Sequence, residues 1–223
     1  MERKAQILSG VTFIAMVLAI YMVFIYAPIE RKMGIIQKIF YFHVSTAWIP
    51  YLAFFVVFLC SILFLWKREK SWDTIAMSSA EVGLVIDTLV LITGPIWAKP
   101  IWGVWWTWEP RLTTSLIMWL LYAGYLLLRR SVEDEMRRAR FAAVYGFAAF
   151  ISVPISFMSI RWWRTIHPVV IKPTGIELEP PMISALIVCL VAFTIFYFCL
   201  LQQRYRLERI KDEIEDIKSE LGG

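Results

Sequence analysis

The sequence predicts an all-α, polytopic membrane protein with six transmembrane helices and amphipathic helices on its outer face. Three observations carry this reading. The 223 residues are 59% hydrophobic with a mean hydropathy of +0.63, more apolar surface than a soluble fold of this size can bury. Six apolar runs, at 7–27, 47–66, 76–96, 112–129, 140–159 and 182–202, approach the ~20 residues that a spanning helix needs. The 23 Lys and Arg are also unevenly shared between the two sides those runs define. Fifteen fall at the termini and in the loops around Lys67–Lys70, Arg129–Arg140 and Arg204–Lys218. Eight fall on the other side: Arg31, Lys32, Lys38, Lys99, Arg111, Arg161, Arg164 and Lys172. Both termini are therefore expected in the cytoplasm. The net charge of +5 reads as this topogenic bias rather than as a nucleic-acid surface.

The first run is too long for a cleavable signal, and no small-x-small site follows it at Tyr26-Ala27-Pro28. Before the second run, Ile36, Ile39, Phe40 and His43 recur at helical spacing, so His43 projects from an apolar stripe near the outer interface. The third run holds two acids. Glu81 is placed to reach the cytoplasmic headgroups. Asp87 lies deeper, where a carboxyl group is expensive unless neutral or paired. It reads either as a carboxylic acid hydrogen-bonded to serine or threonine, or as part of a polar path. The loop at 131–140, SVEDEMRRAR, reads as a topogenic charge cluster. After the sixth run, Leu207, Ile210, Ile214, Ile217 and Leu221 recur at alternating spacings of three and four, as in a short coiled-coil seam. Two readings stay open for this tail: a solvated extension of the last span, or a docking surface for a cytoplasmic partner such as an ATPase subunit. The organisation expected is a membrane domain at 1–206 and a cytoplasmic amphipathic helix at 207–223.

The residues most suggestive of chemistry lie on the outer side. The stretch from Trp97 to Trp108 carries five of the eleven tryptophans. Trp102, Trp105 and Trp106 stand at i, i+3 and i+4, the pattern of an in-plane helix with one aromatic face. Such a face anchors a helix at the interface, or it binds a flat, apolar anion such as a porphyrin. Arg111, Lys99, Arg161 and Arg164 are on the same side to meet its carboxylates. The two histidines, His43 and His167, are also on this side. Each reads as an interfacial imidazole bonded to backbone, or as an axial ligand for haem iron. Cys60, Cys189 and Cys199 all lie in apolar runs without CxxC spacing, which argues against thiol-disulfide chemistry. Phosphate-binding glycine loops, nucleophile elbows and zinc spacings are absent from the sequence. A chain of this kind is not expected to hydrolyse nucleotide or to act as an enzyme. A quinone-oxidising enzyme would place histidines within its spans, and this chain has none in those runs.

The string WGVWWTWEPRLTTSL resembles the tryptophan-rich signature of the haem-handling membrane proteins of cytochrome c assembly. FHVSTAW at 42–48 and IRWWRTIHP at 160–168 resemble the two histidine segments of that family. Six spans and short loops match its cytochrome c maturation protein C (CcmC) branch. The resemblance implies that His43 and His167 are axial ligands of a haem b, held transiently and without a covalent bond. It implies a haem platform of Trp102, Gly103, Trp105, Trp106 and Trp108, oriented by Glu109 and Arg111, with Arg111 near a propionate. The family usually has Asp where this chain has Glu109, which keeps the carboxylate on a longer arm. The implied partners are a periplasmic haem chaperone of the CcmE type, a single-span helper of the CcmD type, and ABC transporter subunits of the CcmA and CcmB types. The implied place is the bacterial cytoplasmic membrane. The alternative function is a permease that exports haem or another hydrophobic anion, for which Asp87 is the one pointer in the spans.

Overall fold

A polar backbone in an apolar solvent must satisfy its own hydrogen bonds, so runs of this length fold as helices. In the computed structural model, residues 2–31, 33–168, 171–172, 175–176 and 178–222 are described, with backbone alone at 2, 171, 172, 175, 176, 216 and 222. The helices are α1 (Glu2–Tyr21, extended by a π turn at Met22–Tyr26), α2 (Gln37–Lys67), α3 (Lys70–Trp102), α4 (Pro110–Ser131), α5 (Glu135–Ala149), α6 (Ser152–Trp162) and α7 (Pro180–Gly222). A two-residue antiparallel pair, β1 (Ile171–Lys172) and β2 (Gly175–Ile176), precedes α7. Among the described residues, six segments are long and apolar enough to cross a membrane; five contain a predicted run entire, and Arg3–Tyr26 covers the first run up to its last residue. The chain is a multi-pass membrane protein. Lys32 and the side chain of Lys172, two of the cations expected on the outer side, lie outside the described residues.

The fifth span is α5 and α6 together, broken at Phe150–Ile151. Pro154 accounts for the break. It has no N–H to give to the Phe150 carbonyl, and its ring would clash there in a continuous helix. Val153 N–H bonds to Phe150 O instead (2.9 Å). α7 runs without interruption from the last span through 206–207 into the tail.

α2 and α3 form the centre of the bundle. Their connection is two residues long: Arg68, left-handed at φ 62°, closes α2, and Glu69 opens α3. The hairpin packs closely because Gly83 faces Ala53. A Cβ at Gly83 would stand 2.7 Å from the Ala53 Cβ and 2.9 Å from the Phe54 ring. Ser79 donates to the Ala53 carbonyl (2.7 Å) and accepts from Tyr197 of α7 (2.7 Å). Phe54 in turn stacks on Tyr122 of α4. Small residues at helix crossings are the usual means of packing within lipid, where apolar side chains gain little from leaving their solvent.

The basic end of the bundle is tied by ions. Arg129 at the end of α4 makes a bidentate, buried pair with Asp73 in the first turn of α3 (2.5 and 2.7 Å). Each charge also suits the helix dipole at its position. Glu81, expected to reach toward headgroups, instead binds Arg204 of α7, which also holds Glu208 (2.5 Å). Asp134 of the 131–140 loop caps α5 by accepting from Arg137 N–H (2.7 Å).

Gly83→Val overpacks the α2–α3 crossing and is expected to destabilise the bundle by about 1–3 kcal/mol. Gly10→Val, where a Cβ meets nothing within 4 Å, serves as the control. Thermal unfolding of both variants in one detergent, followed by size-exclusion recovery, measures the difference.

Candidate functional site

At the tryptophan end, α2, α3, α4, α6 and α7 surround a cavity of 680 Å³, and the 163–168 segment closes part of it. Its wall is mostly aliphatic and aromatic. The polar groups in it are few: His43, His167, Asp87, Arg111, Ser115, Tyr51 and Thr194. A large apolar pocket with a few convergent polar groups is the ordinary form of a small-molecule site.

The α2–α3 hairpin places His43 opposite Thr93 and Gly94. His43 Nδ1 lies 3.0 Å from Thr93 Oγ1. That hydroxyl spends its proton on the Leu89 carbonyl (2.8 Å), so it accepts from His43. The proton is thereby fixed on Nδ1, and Nε2 keeps its lone pair, the form a metal needs. Gly94 gives the ring its room, since a Cβ there would stand 3.4 Å from His43 Cε1.

His167 comes from the segment after α6, and its position depends on α4. Pro110 opens α4, and it holds Glu109 in extended backbone. Glu109 is the N-cap. Its Oε1 accepts from Leu112 N–H (3.0 Å), and its Oε2 accepts from the Thr165 hydroxyl. Thr165 Oγ1 accepts in turn from His167 N–H (3.0 Å). One carboxylate thus joins the tryptophan motif to the second histidine. The His167 ring meets Trp102 edge-on at 6.0 Å, and Trp102 meets Trp97 edge-on at 5.3 Å. Burial, with the Arg111 guanidinium next in weight, lowers the His167 pKa to about 3, so the imidazole is neutral at ordinary pH.

Arg111, in the first turn of α4, points into the cavity. Its Nη1 donates to the Ser156 carbonyl (2.7 Å), and its guanidinium lies 5.4 Å from the Tyr51 ring centre. Ser156 Oγ stands 3.3 Å from both the Tyr51 and Ser115 hydroxyls. Asp87 shares this cavity at 1% exposure, with Oδ2 unpartnered among the described residues. The neighbouring Thr88 is occupied elsewhere, donating to Leu84 O and accepting from Trp119 Nε1.

The predicted site residues are only partly brought together. His43, His167, Arg111, Asp87, Trp102 and Trp106 line the cavity. Trp105 and Trp108 do not, and are 56% and 75% exposed. The in-plane aromatic helix does not form. Gly103, left-handed at φ 78°, ends α3 just after Trp102, and 104–109 continue without helix. Trp102 is therefore on a helix end while Trp105 and Trp106 are on a loop, and their i, i+3, i+4 spacing has no common face. Lys99 turns back to the Gly103 carbonyl (2.9 Å), and Arg161 lies over Phe157. Sequence reading passed over Trp97, Thr93, Thr165 and Tyr51. Thr165, two residues before His167, carried a local signal for a hydroxyl–backbone bond. Thr93 carried none, being fifty residues from its partner. Trp48, read as an interfacial belt residue, lines the cavity and donates to Thr194 of α7 (3.2 Å).

Fold and site define a class: a polytopic helical membrane protein with a two-histidine, tryptophan-walled cavity at one end. The chain belongs to the Heme exporter protein C (CcmC) family, whose family model matches residues 1–220. Heme exporter protein C of Bradyrhizobium diazoefficiens is 32% identical over 213 residues, covering 95% of this chain and 81% of the relative. A putative cytochrome c biosynthesis ccmC-like mitochondrial protein of Marchantia polymorpha is 32% identical over 197 residues, 88% of this chain and 82% of its own. Heme exporter protein C of Escherichia coli K12 is 30% identical over 190 residues, 85% of this chain and 75% of the relative.

Two expectations follow from the geometry. Glu109→Ala removes the α4 cap, at about 1 kcal/mol, and frees the Thr165–His167 segment. Limited proteolysis within 163–168 should accelerate in that variant while the helices stay protected. Because the folded pKa of His167 lies below its unfolded value near 6.5, its contribution to stability is complete above pH 6.5 and is lost as pH falls toward 3. Acid unfolding of wild type beside His167→Gln checks this: the variant should lose part of the pH dependence in that window.

Proposed function

We propose that this chain binds haem b in the tryptophan-end cavity, transiently and without a covalent bond. It presents that haem at the outer face of the cytoplasmic membrane to a periplasmic chaperone of the CcmE type, for covalent capture during c-type cytochrome biogenesis. The observation that carries the reading is the convergence of His43, from α2, and His167, from the 163–168 segment, on one apolar cavity of 680 Å³. The donor set suits the cargo. His43 offers an unprotonated Nε2, and the buried His167 Nδ1, Trp97 Nε1 and Trp106 Nε1 have no hydrogen-bond partner among the described residues. Trp102 and Trp106 supply flat apolar contacts, and Arg111 supplies a cation for a propionate. Trp105 and Trp108, exposed and outside the cavity lining, suit contact with the chaperone.

The names of the relatives support haem as the cargo and cytochrome c biosynthesis as the setting. The Lys and Arg bias supports an orientation with both termini in the cytoplasm. In this reading the chain is a binding and transfer protein with no nucleotide chemistry of its own. It works beside a CcmD-type single-span helper and CcmA- and CcmB-type ABC subunits.

The test is the visible spectrum of the purified chain in detergent, with haem content from a pyridine haemochrome assay. Wild type should show a Soret band. His43→Ala and His167→Ala should each shift or weaken it, and the double variant should lose haem and chaperone loading. Normal loading in the double variant would remove the ligand assignment.

A further inference from the structure

α7 is 43 residues long, which at 1.5 Å per residue is about 65 Å, roughly twice the ~30 Å hydrocarbon core. Its last turns therefore project from the basic end. Among the described residues, the ties between the projecting part and the body lie on one face. Arg204 and Glu208 meet Glu81's neighbourhood through the Glu81–Arg204 pair, and Asp212 binds Lys70 (3.2 Å). At 100° per residue the seam of Leu207, Ile210, Ile214, Ile217 and Leu221 points to roughly the opposite side. These five side chains are 47–83% exposed. With Leu207 as heptad position a, all five occupy a or d. One flank then carries Lys211 and Lys218 at e, and the other carries Glu213 and Glu220 at g.

We propose that this seam is a self-association surface, and that copies of the chain meet through it as a short parallel coiled coil. The observation that selects a second copy is the charge on the flanks. In a parallel bundle, each g residue faces the e residue five places on in its neighbour. Glu213 then meets Lys218 of the other copy, and the reverse pair forms with it. Chains inserted in one membrane with one orientation present their tails parallel and at the same height, so the register follows from the membrane itself. Tethering by the spans also raises the effective concentration, which lets a seam of two heptads suffice. Leu207, Ile214 and Leu221 at a with Ile210 and Ile217 at d favour bundles of more than two strands. Arg206, at g nearest the spans, faces Lys211 of the neighbour and weakens the pairing at that level only.

The experiment uses the full chain in lipid nanodiscs, with the buried Cys60, Cys189 and Cys199 replaced by Ala. Single substitutions Ile210→Cys, Ile214→Cys and Ile217→Cys should form intermolecular disulfides on mild oxidation, and Glu215→Cys, at position b away from the seam, should not. Mass photometry should show an assembly that Glu213→Lys weakens roughly tenfold, because attractive pairs become repulsive. Glu213→Lys combined with Lys218→Glu should restore it. A monomeric mass, equal cross-linking at Glu215→Cys, or a double variant no better than the single one would overturn the proposal. So would seam cysteines that maleimide labels freely in the chain alone and that only a co-expressed nucleotide-binding subunit protects. The seam and the cavity are at opposite ends, so the haem spectrum of these variants reports separately on the cavity.

Discussion

The close approach of α2 and α3 at Gly83 and Ala53 is the constraint on which the rest depends. A two-residue connection fixes where the antiparallel hairpin starts, and the missing side chain at Gly83 fixes how near the helices come. From that crossing the two helices keep register. His43 lies ten residues before Ala53, and Thr93 lies ten residues after Gly83, so the two meet. The imidazole tautomer near one end of the bundle is thus a consequence of backbone packing near its middle. Ser79 adds the third helix at the same level by joining the Ala53 carbonyl to Tyr197 of α7. A looser crossing would leave His43 without its acceptor and would open the cavity wall that α2, α3 and α7 share.

The start of α4 is the second organising point, and it works through polar contacts. Pro110 sets the extended conformation of Glu109, and that conformation lets one carboxylate cap a helix and hold Thr165 together. Two residues on, Arg111 turns inward to Ser156 of α6. The N-terminal turn of α4 therefore binds both the segment that carries His167 and the helix before it. The long arm of Glu109 fits this double duty: one oxygen stays on its own helix while the other reaches the next segment.

The two ends of the bundle are built on different forces. The basic end is cross-linked by ion pairs, Asp73–Arg129, Glu81–Arg204 and Lys70 with Glu135 and Asp212. The tryptophan end is held by hydroxyl–carboxylate bonds and edge-on rings. That difference suits a division of labour. Ionic ties keep the helices together where α7 leaves the membrane domain, and weaker, adaptable contacts surround the cavity, as the proposed transient binding of a flat cargo requires.

The spans, their number and their orientation bias were determined by the sequence alone, because a bilayer imposes length and polarity on each segment independently of its neighbours. The two histidines and the tryptophan motif were legible for a similar reason: histidine is rare in this chain and five of the eleven tryptophans crowd one stretch, so they stood out by kind. Tertiary structure decided which of them share a wall. Trp105 and Trp106 were grouped with Trp102 by helical spacing, yet Gly103 ends the helix between them, so that Trp106 lines the cavity while Trp105 is exposed. Trp97 joined the cavity because α3 continues to Trp102. Thr93 and Tyr51 gained their roles from residues fifty or more positions away, and Glu81 found Arg204 across the bundle in the same way. Contacts of that kind arise from helix crossings and close approaches, which depend on side-chain shape in three dimensions and leave no periodic mark along the chain.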